Sequence, residues 1–122
     1  MRAGLASGRD REFFVTRRRL QDGVLLSLRG ELDLTTASVA EDELAAAERS
    51  HQLVVLDLRK LSFMDSTGLG LIVFAQRRAR ESGHRFVVVQ GPPQIQRVLE
   101  LTGLTAWVEV VSDPSSLLAP ST

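Results

Sequence analysis

Apolar residues fall along this chain in two alternating rhythms, short solid runs and longer stripes at helical spacing. Phe13-Phe14-Val15-Thr16 and Val24-Leu25-Leu26-Ser27-Leu28 read as strands, and Gln21-Asp22-Gly23 between them supplies an Asp-Gly hairpin turn. Ala40, Leu44 and Ala47 share one face of a helix that runs to about Arg49 and that Thr35 or Thr36 can cap. Ser38 and Glu41 also have capping-box spacing. The run Leu53-Val54-Val55-Leu56-Asp57-Leu58 is almost wholly apolar, as in a strand covered on both faces. A second helix spans Ser66 to Ser82 and stops at Gly83, with Arg77, Arg78 and Arg80 placed to complement its negative end. Phe86-Val87-Val88-Val89 is another buried strand. Pro92-Pro93 suits only the start of a helix, and Ile95, Val98, Leu99 and Thr102 give that helix its stripe before Gly103 and Leu104. Trp107–Val111 reads as a last short strand, followed by a weak helical turn around Leu117.

The predicted order is β-β-α-β-α-β-α-β, an α/β chain. Strand–helix alternation after a hairpin implies right-handed crossovers and a mixed, mostly parallel sheet of four to five strands with helices packed against it. The 122 residues suit a single domain, since two halves would each have a marginal core. Its expected span is 12–111, between a flexible N-terminal extension, 1–11, and a polar tail, 112–122. In such sheets, binding sites gather beyond the carboxyl ends of the strands. Asp33, Asp65-Ser66 and Gly91 follow strands two, three and four, so they are expected along one edge.

Composition removes several classes of function. Lys+Arg and Asp+Glu both number 15, so no net field favours direct contact with nucleic acid or an anionic membrane. The absence of cysteine excludes disulfides, thiolate metal sites and cysteine catalysis. The first dozen residues lack the apolar core of a signal peptide, and no apolar run approaches the roughly 20 residues that span a bilayer. A cytoplasmic protein is the expectation. His51 and His84 have no metal-ligand spacing and read as solvated loop residues. Arg17-Arg18-Arg19 reads as a solvated edge or an anion contact. Phosphate-loop, dinucleotide-binding, zinc-protease and nucleophile-elbow motifs are all missing. Asp33 and Asp65 could imitate a carboxylate pair, but no acid/base cleft accompanies them, and no nucleophile–base pair is visible. The chain is therefore not expected to be an enzyme, and no metal or cofactor is expected.

The densest chemistry lies in Leu61-Ser62-Phe63-Met64-Asp65-Ser66-Thr67-Gly68-Leu69-Gly70. Two hydroxyls beside a carboxylate sit at the positive end of a helix dipole. Ser66 can be the N-cap of that helix, or the place where another protein adds a phosphate. Gly68 and Gly70 each cost the helix about 1 kcal/mol relative to alanine. They either leave the helix end bare for another backbone or allow tight packing on the sheet. Asp33, in Gly30-Glu31-Leu32-Asp33, either caps its own loop or accepts a hydrogen bond that orients the Ser66 hydroxyl.

Those residues resemble a known family. Gly30-Glu31-Leu32-Asp33, Leu56-Asp57-Leu58 and the Leu61–Gly70 segment are similar to the STAS domain of bacterial anti-sigma factor antagonists. The similarity runs from about Phe13 to Val111 and includes Gly91-Pro92-Pro93 and Leu101-Thr102-Gly103-Leu104. The resemblance implies the STAS fold and a partner switch in sporulation or the stress response. The unphosphorylated antagonist binds an anti-sigma factor that is also a serine kinase, and so frees a sigma factor. The kinase phosphorylates the serine matching Ser66, with Thr67 as the secondary candidate, and the complex dissociates; a separate serine phosphatase restores it. ATP and Mg belong to the partner kinase. Asp33 matches the acidic residue near that serine, and the implied partner surface comprises Asp33, Asp65, Ser66, Thr67, Gly68 and Gly70. The chain is expected as a monomer or weak dimer. STAS-like domains also serve as ligand or nucleotide sensors and as scaffold modules of stress or transport complexes, which is the alternative function.

Overall fold

The computed structural model describes residues 13–118. The expected N-terminal extension, 1–11, lies outside the described residues, as do residues 119–122 of the expected tail. The chain runs β1 (Phe14–Arg19), β2 (Gly23–Leu32), α1 (Ala37–Ser50), β3 (Leu53–Met64), α2 (Ser66–Ser82), β4 (Arg85–Val89), α3 (Pro93–Leu101), a 3-10 turn (Leu104–Ala106), β5 (Glu109–Val111) and α4 (Ser115–Leu118). The strands form one sheet in the order β1-β2-β3-β4-β5. β1 is antiparallel to β2, and β2, β3, β4 and β5 are mutually parallel. The predicted order and the mixed, mostly parallel sheet are both present.

Alternation along the strands separates two cores. Val24, Leu26 and Leu28 of β2, Val54, Leu56 and Leu58 of β3, and Phe86 and Val88 of β4 point to one face. There they meet Ala40, Leu44 and Ala47 of α1, Leu71, Ile72, Ala75 and Ala79 of α2, and Ile95 and Leu99 of α3. The intervening residues Leu25, Leu53, Val55, Val87 and Val89 form a smaller cluster on the other face, with Leu20. Leu117, on the helical turn expected near it, packs against that second cluster.

Asp57 is the polar interruption of β3 and is only 2 % exposed. Ser27 Oγ donates to it at 3.0 Å, and Arg59 supplies its backbone N–H, Nε and Nη2, each at 3.0 Å. Burial pushes the Asp57 carboxyl up, but the Arg59 and Ser27 hydrogen bonds outweigh it and hold the group below its ordinary 3.8.

Four boundaries differ from the pattern-based expectation. β1 continues through Arg17–Arg19, which lie exposed along the sheet edge and pair with Val24–Leu26. β2 and β3 run on to Leu32 and Met64, well past Leu28 and Leu58, because each supplies the other's backbone partners after β4 has ended at Val89. The shared extension contains two register shifts, and Gly30 adopts φ 108° at the second. Trp107 and Val108 are not in β5: both donate backbone bonds to Leu104 O at 3.0 Å, completing the turn that follows Gly103, itself at φ 78°.

Asp57→Asn is expected to lower stability at pH 7 by about 1–3 kcal/mol, because the buried acceptor of the Arg59 and Ser27 hydrogen bonds loses its charge. A carboxyl held below its ordinary value in the folded state adds stability above that value, and the gain fades as pH falls through the folded value. The deficit of the variant, measured by urea unfolding at several pH values, should therefore narrow on acidification below about pH 4.

Candidate functional site

Parallel strands bring the ends of β2 and β3 to the same edge, and the Asp65 backbone N–H donates to Leu32 O at 3.2 Å. That bond ties the start of α2 to the start of the β2–α1 loop. Asp65, with φ −105° and ψ −167°, is the N-cap of α2, and its Oδ1 accepts from Thr67 N at 2.8 Å. The cap is thus the carboxylate and not the Ser66 hydroxyl. Ser66 is the first residue of the helix, exposed, and no described residue hydrogen-bonds its hydroxyl. Thr67 beside it is half-buried.

Asp33 serves its own loop. Its Oδ1 accepts from Thr35 Oγ1 at 2.8 Å, Thr35 N at 2.9 Å and Thr36 N at 3.3 Å. The Thr35 hydroxyl, aided by these backbone donors and opposed by slight burial, holds the carboxyl below its ordinary 3.8. Of the two roles open to Asp33, the structure has the loop cap, made by Oδ1 with Thr35 and Thr36. Thr36 stands at the N-cap position of α1 but gives the helix no side-chain cap. Its hydroxyl donates to Glu31 O at 2.7 Å and accepts from Asp33 N at 3.0 Å, closing the loop on itself. The Ser38–Glu41 capping box is not formed: Ser38 lies inside α1, and Glu41 pairs with Arg78 Nη1 at 3.1 Å.

The two glycines of α2 differ. A Cβ on Gly68 would sit 2.5 Å from Met64 Cγ and 2.9 Å from Leu32 Cδ2, so the helix end rests directly on the sheet there. A Cβ on Gly70 would meet nothing within 4 Å. Gly91, after β4, would bring a Cβ to 2.9 Å from Leu58 O, so the start of α3 is packed against the same edge. The site therefore presents an exposed hydroxyl on a capped helix, with Asp65 and the Asp33 loop beside it. Phe74, one turn beyond Gly70 and exposed, was missed by motif reading; the spacing Thr67, Gly70, Phe74 places it on the same face. Among the described residues, no cluster of His, Cys, Asp or Glu could hold a metal, and no helix is long and apolar enough to cross a membrane.

The STAS domain family model matches residues 15–116. An anti-sigma F factor antagonist from Paenibacillus polymyxa is 35 % identical over 85 residues, covering 67 % of this chain and 73 % of that protein. An anti-sigma factor antagonist from Mycobacterium paratuberculosis superposes with a TM-score of 0.79 at 24 % identity, covering 87 % of this chain and 91 % of the other. The Bacillus cell-fate determinant SpoIIAA in its phosphorylated form gives a TM-score of 0.65 at 22 % identity, over 84 % of this chain and 95 % of the other.

Two substitutions separate cap from packing. Asp65→Ala removes the side-chain N-cap of α2 and should cost about 1 kcal/mol in chemical denaturation. Gly68→Ala should cost about 1–3 kcal/mol despite the better helix propensity of alanine, because Met64 and Leu32 must move.

Proposed function

The chain belongs to the STAS domain family, and on that premise we propose that it is an anti-sigma factor antagonist whose binding is switched at Ser66. Unphosphorylated, it binds an anti-sigma factor that is also a serine kinase and thereby releases a sigma factor. The observation that carries this reading is the Ser66 hydroxyl, exposed at the first position of α2 and relieved of capping by Asp65.

In the switching step the Ser66 oxygen attacks the terminal phosphorus of ATP held with Mg by the kinase. The bond to ADP breaks, and a base of the kinase takes the hydroxyl proton. The antagonist is substrate and ligand here, not catalyst. The product carries about −1.5 to −2 charges. The positive end of α2 favours that charge, yet the nearby amides are largely committed: Thr67 N donates to Asp65 Oδ1, and Gly68 N to Asp65 O at 3.1 Å. The Asp65 carboxylate repels it. A phosphate so placed faces outward, into the partner surface formed by Asp33, Asp65, Thr67 and Gly70, and the complex separates. A serine phosphatase reverses the step. The reading places the protein in the cytoplasm, acting through protein partners and not on DNA, as a monomer or weak dimer.

Incubation with ATP and each anti-sigma factor kinase of the host should add one phosphate by intact mass, mapped to Ser66. Ser66→Ala should abolish uptake while retaining binding. Continued labelling of the Ser66→Ala, Thr67→Ala double variant would show the site to be elsewhere.

A further inference from the structure

Two features of α2 serve neither the fold nor the cap. Gly70 has no positive φ, unlike Gly30, Gly83 and Gly103, and a Cβ there would meet nothing within 4 Å. Glycine at that position still costs the helix about 1 kcal/mol relative to alanine. Phe74 is 53 % exposed, with the Arg77 guanidinium 5.5 Å from its ring centre. Large apolar side chains left open beside a site commonly mark a place where another molecule docks.

Both residues line an open groove of about 380 Å³ between α1 and α2. Ala37, Ser38 and Glu41 form the α1 wall, and buried Leu71 also lines it. Thr67 lines it too, so the groove reaches the residue next to Ser66. Its surface is mostly apolar, Glu41 is the charged residue among those that line it, and the Arg77 guanidinium over Phe74 borders its α2 side. Glu41 shares Arg78 with Glu48, at 3.1 and 2.7 Å, so two carboxylates meet one guanidinium and the α1 wall is left with net negative charge. A nucleotide phosphate would find repulsion there, whereas an apolar side chain followed by a basic one would find a complement.

We infer that this groove receives an aliphatic or aromatic anchor side chain of the anti-sigma factor, with a basic residue beside the anchor facing Glu41. The inference rests on the antagonist reading and deepens it. Gly70 is then glycine because the volume of a side chain belongs to the partner. The groove's approach to the residue beside Ser66 also explains how one phosphate can dislodge an anchor seated along the same helix.

The test titrates wild type, Gly70→Ala, Gly70→Leu and Phe74→Ala against each anti-sigma factor kinase of the host, alongside thermal unfolding. Gly70→Ala should unfold about 2–6 °C higher than wild type, because the helix gains a better former and the added Cβ meets nothing within 4 Å, and the unfolding curve of Gly70→Leu shows whether that variant is folded. Gly70→Leu and Phe74→Ala should bind at least tenfold more weakly, with Gly70→Ala in between. Folded Gly70→Leu and Phe74→Ala variants that bind within twofold of wild type would overturn the inference and leave the antagonist reading standing. So would saturable binding of ATP or GTP to the wild type that Gly70→Leu abolishes, since the groove would then seat a nucleotide. A wild type that binds no anti-sigma factor would overturn the antagonist reading and this inference with it.

Discussion

β3 lies between β2 and β4, and its backbone must find partners on both sides wherever it is buried. Over Leu53–Asp57 it has them on both sides; beyond Asp57 only β2 continues beside it, as far as Leu32 and Met64. That one-sided extension carries the chain past the end of the sheet and delivers Asp65 to the Leu32 carbonyl. Everything at the site follows from this delivery. Asp65 arrives with extended backbone angles and caps α2, Gly68 settles against Met64 and Leu32, and Ser66 is left on the outside. Asp57, held by Arg59 and Ser27 where β4 drops away, anchors the point of departure.

The cap and the proposed switch residue are separate groups, and this separation suits the proposed regulation. If Ser66 capped α2, a phosphate on its oxygen would alter the group that caps the helix while adding charge. With Asp65 as cap, modification changes the charge and shape of the surface and leaves the helix end intact. The Asp33 loop is likewise closed by hydrogen bonds of its own threonines, beside Ser66. A preorganised surface of this kind binds without first ordering a loop.

Much of this was legible in the residues. The solid apolar run Leu53–Leu58 announced a central strand, and α2 could be bounded from Ser66 to Gly83 because a hydroxyl cluster opens it and a left-handed glycine ends it. The strand extensions were not legible: Arg59, Lys60 and Ser62 interrupt the apolar pattern, and the segment is a strand because of its partner, not its side chains. Asp65 and Ser66 are both good caps by local chemistry, and the choice turned on a bond to Leu32, distant in sequence. Gly68 and Gly70 carry the same local penalty, and only the tertiary contacts show that one is required for packing and the other is not. Trp107 and Val108 have strand propensity but were claimed by the turn after Gly103.

On the proposed reading, charge at Ser66 controls partner affinity without refolding the domain. Its most direct test compares the dissociation constants of the unmodified chain and the same chain phosphorylated at Ser66 for one anti-sigma factor kinase. Circular dichroism of both forms is recorded in parallel. The account predicts unchanged spectra and at least tenfold weaker binding of the phosphorylated form, a loss of about 1.4 kcal/mol or more. Equal affinity of the two forms, or weaker binding accompanied by loss of helix, would contradict it.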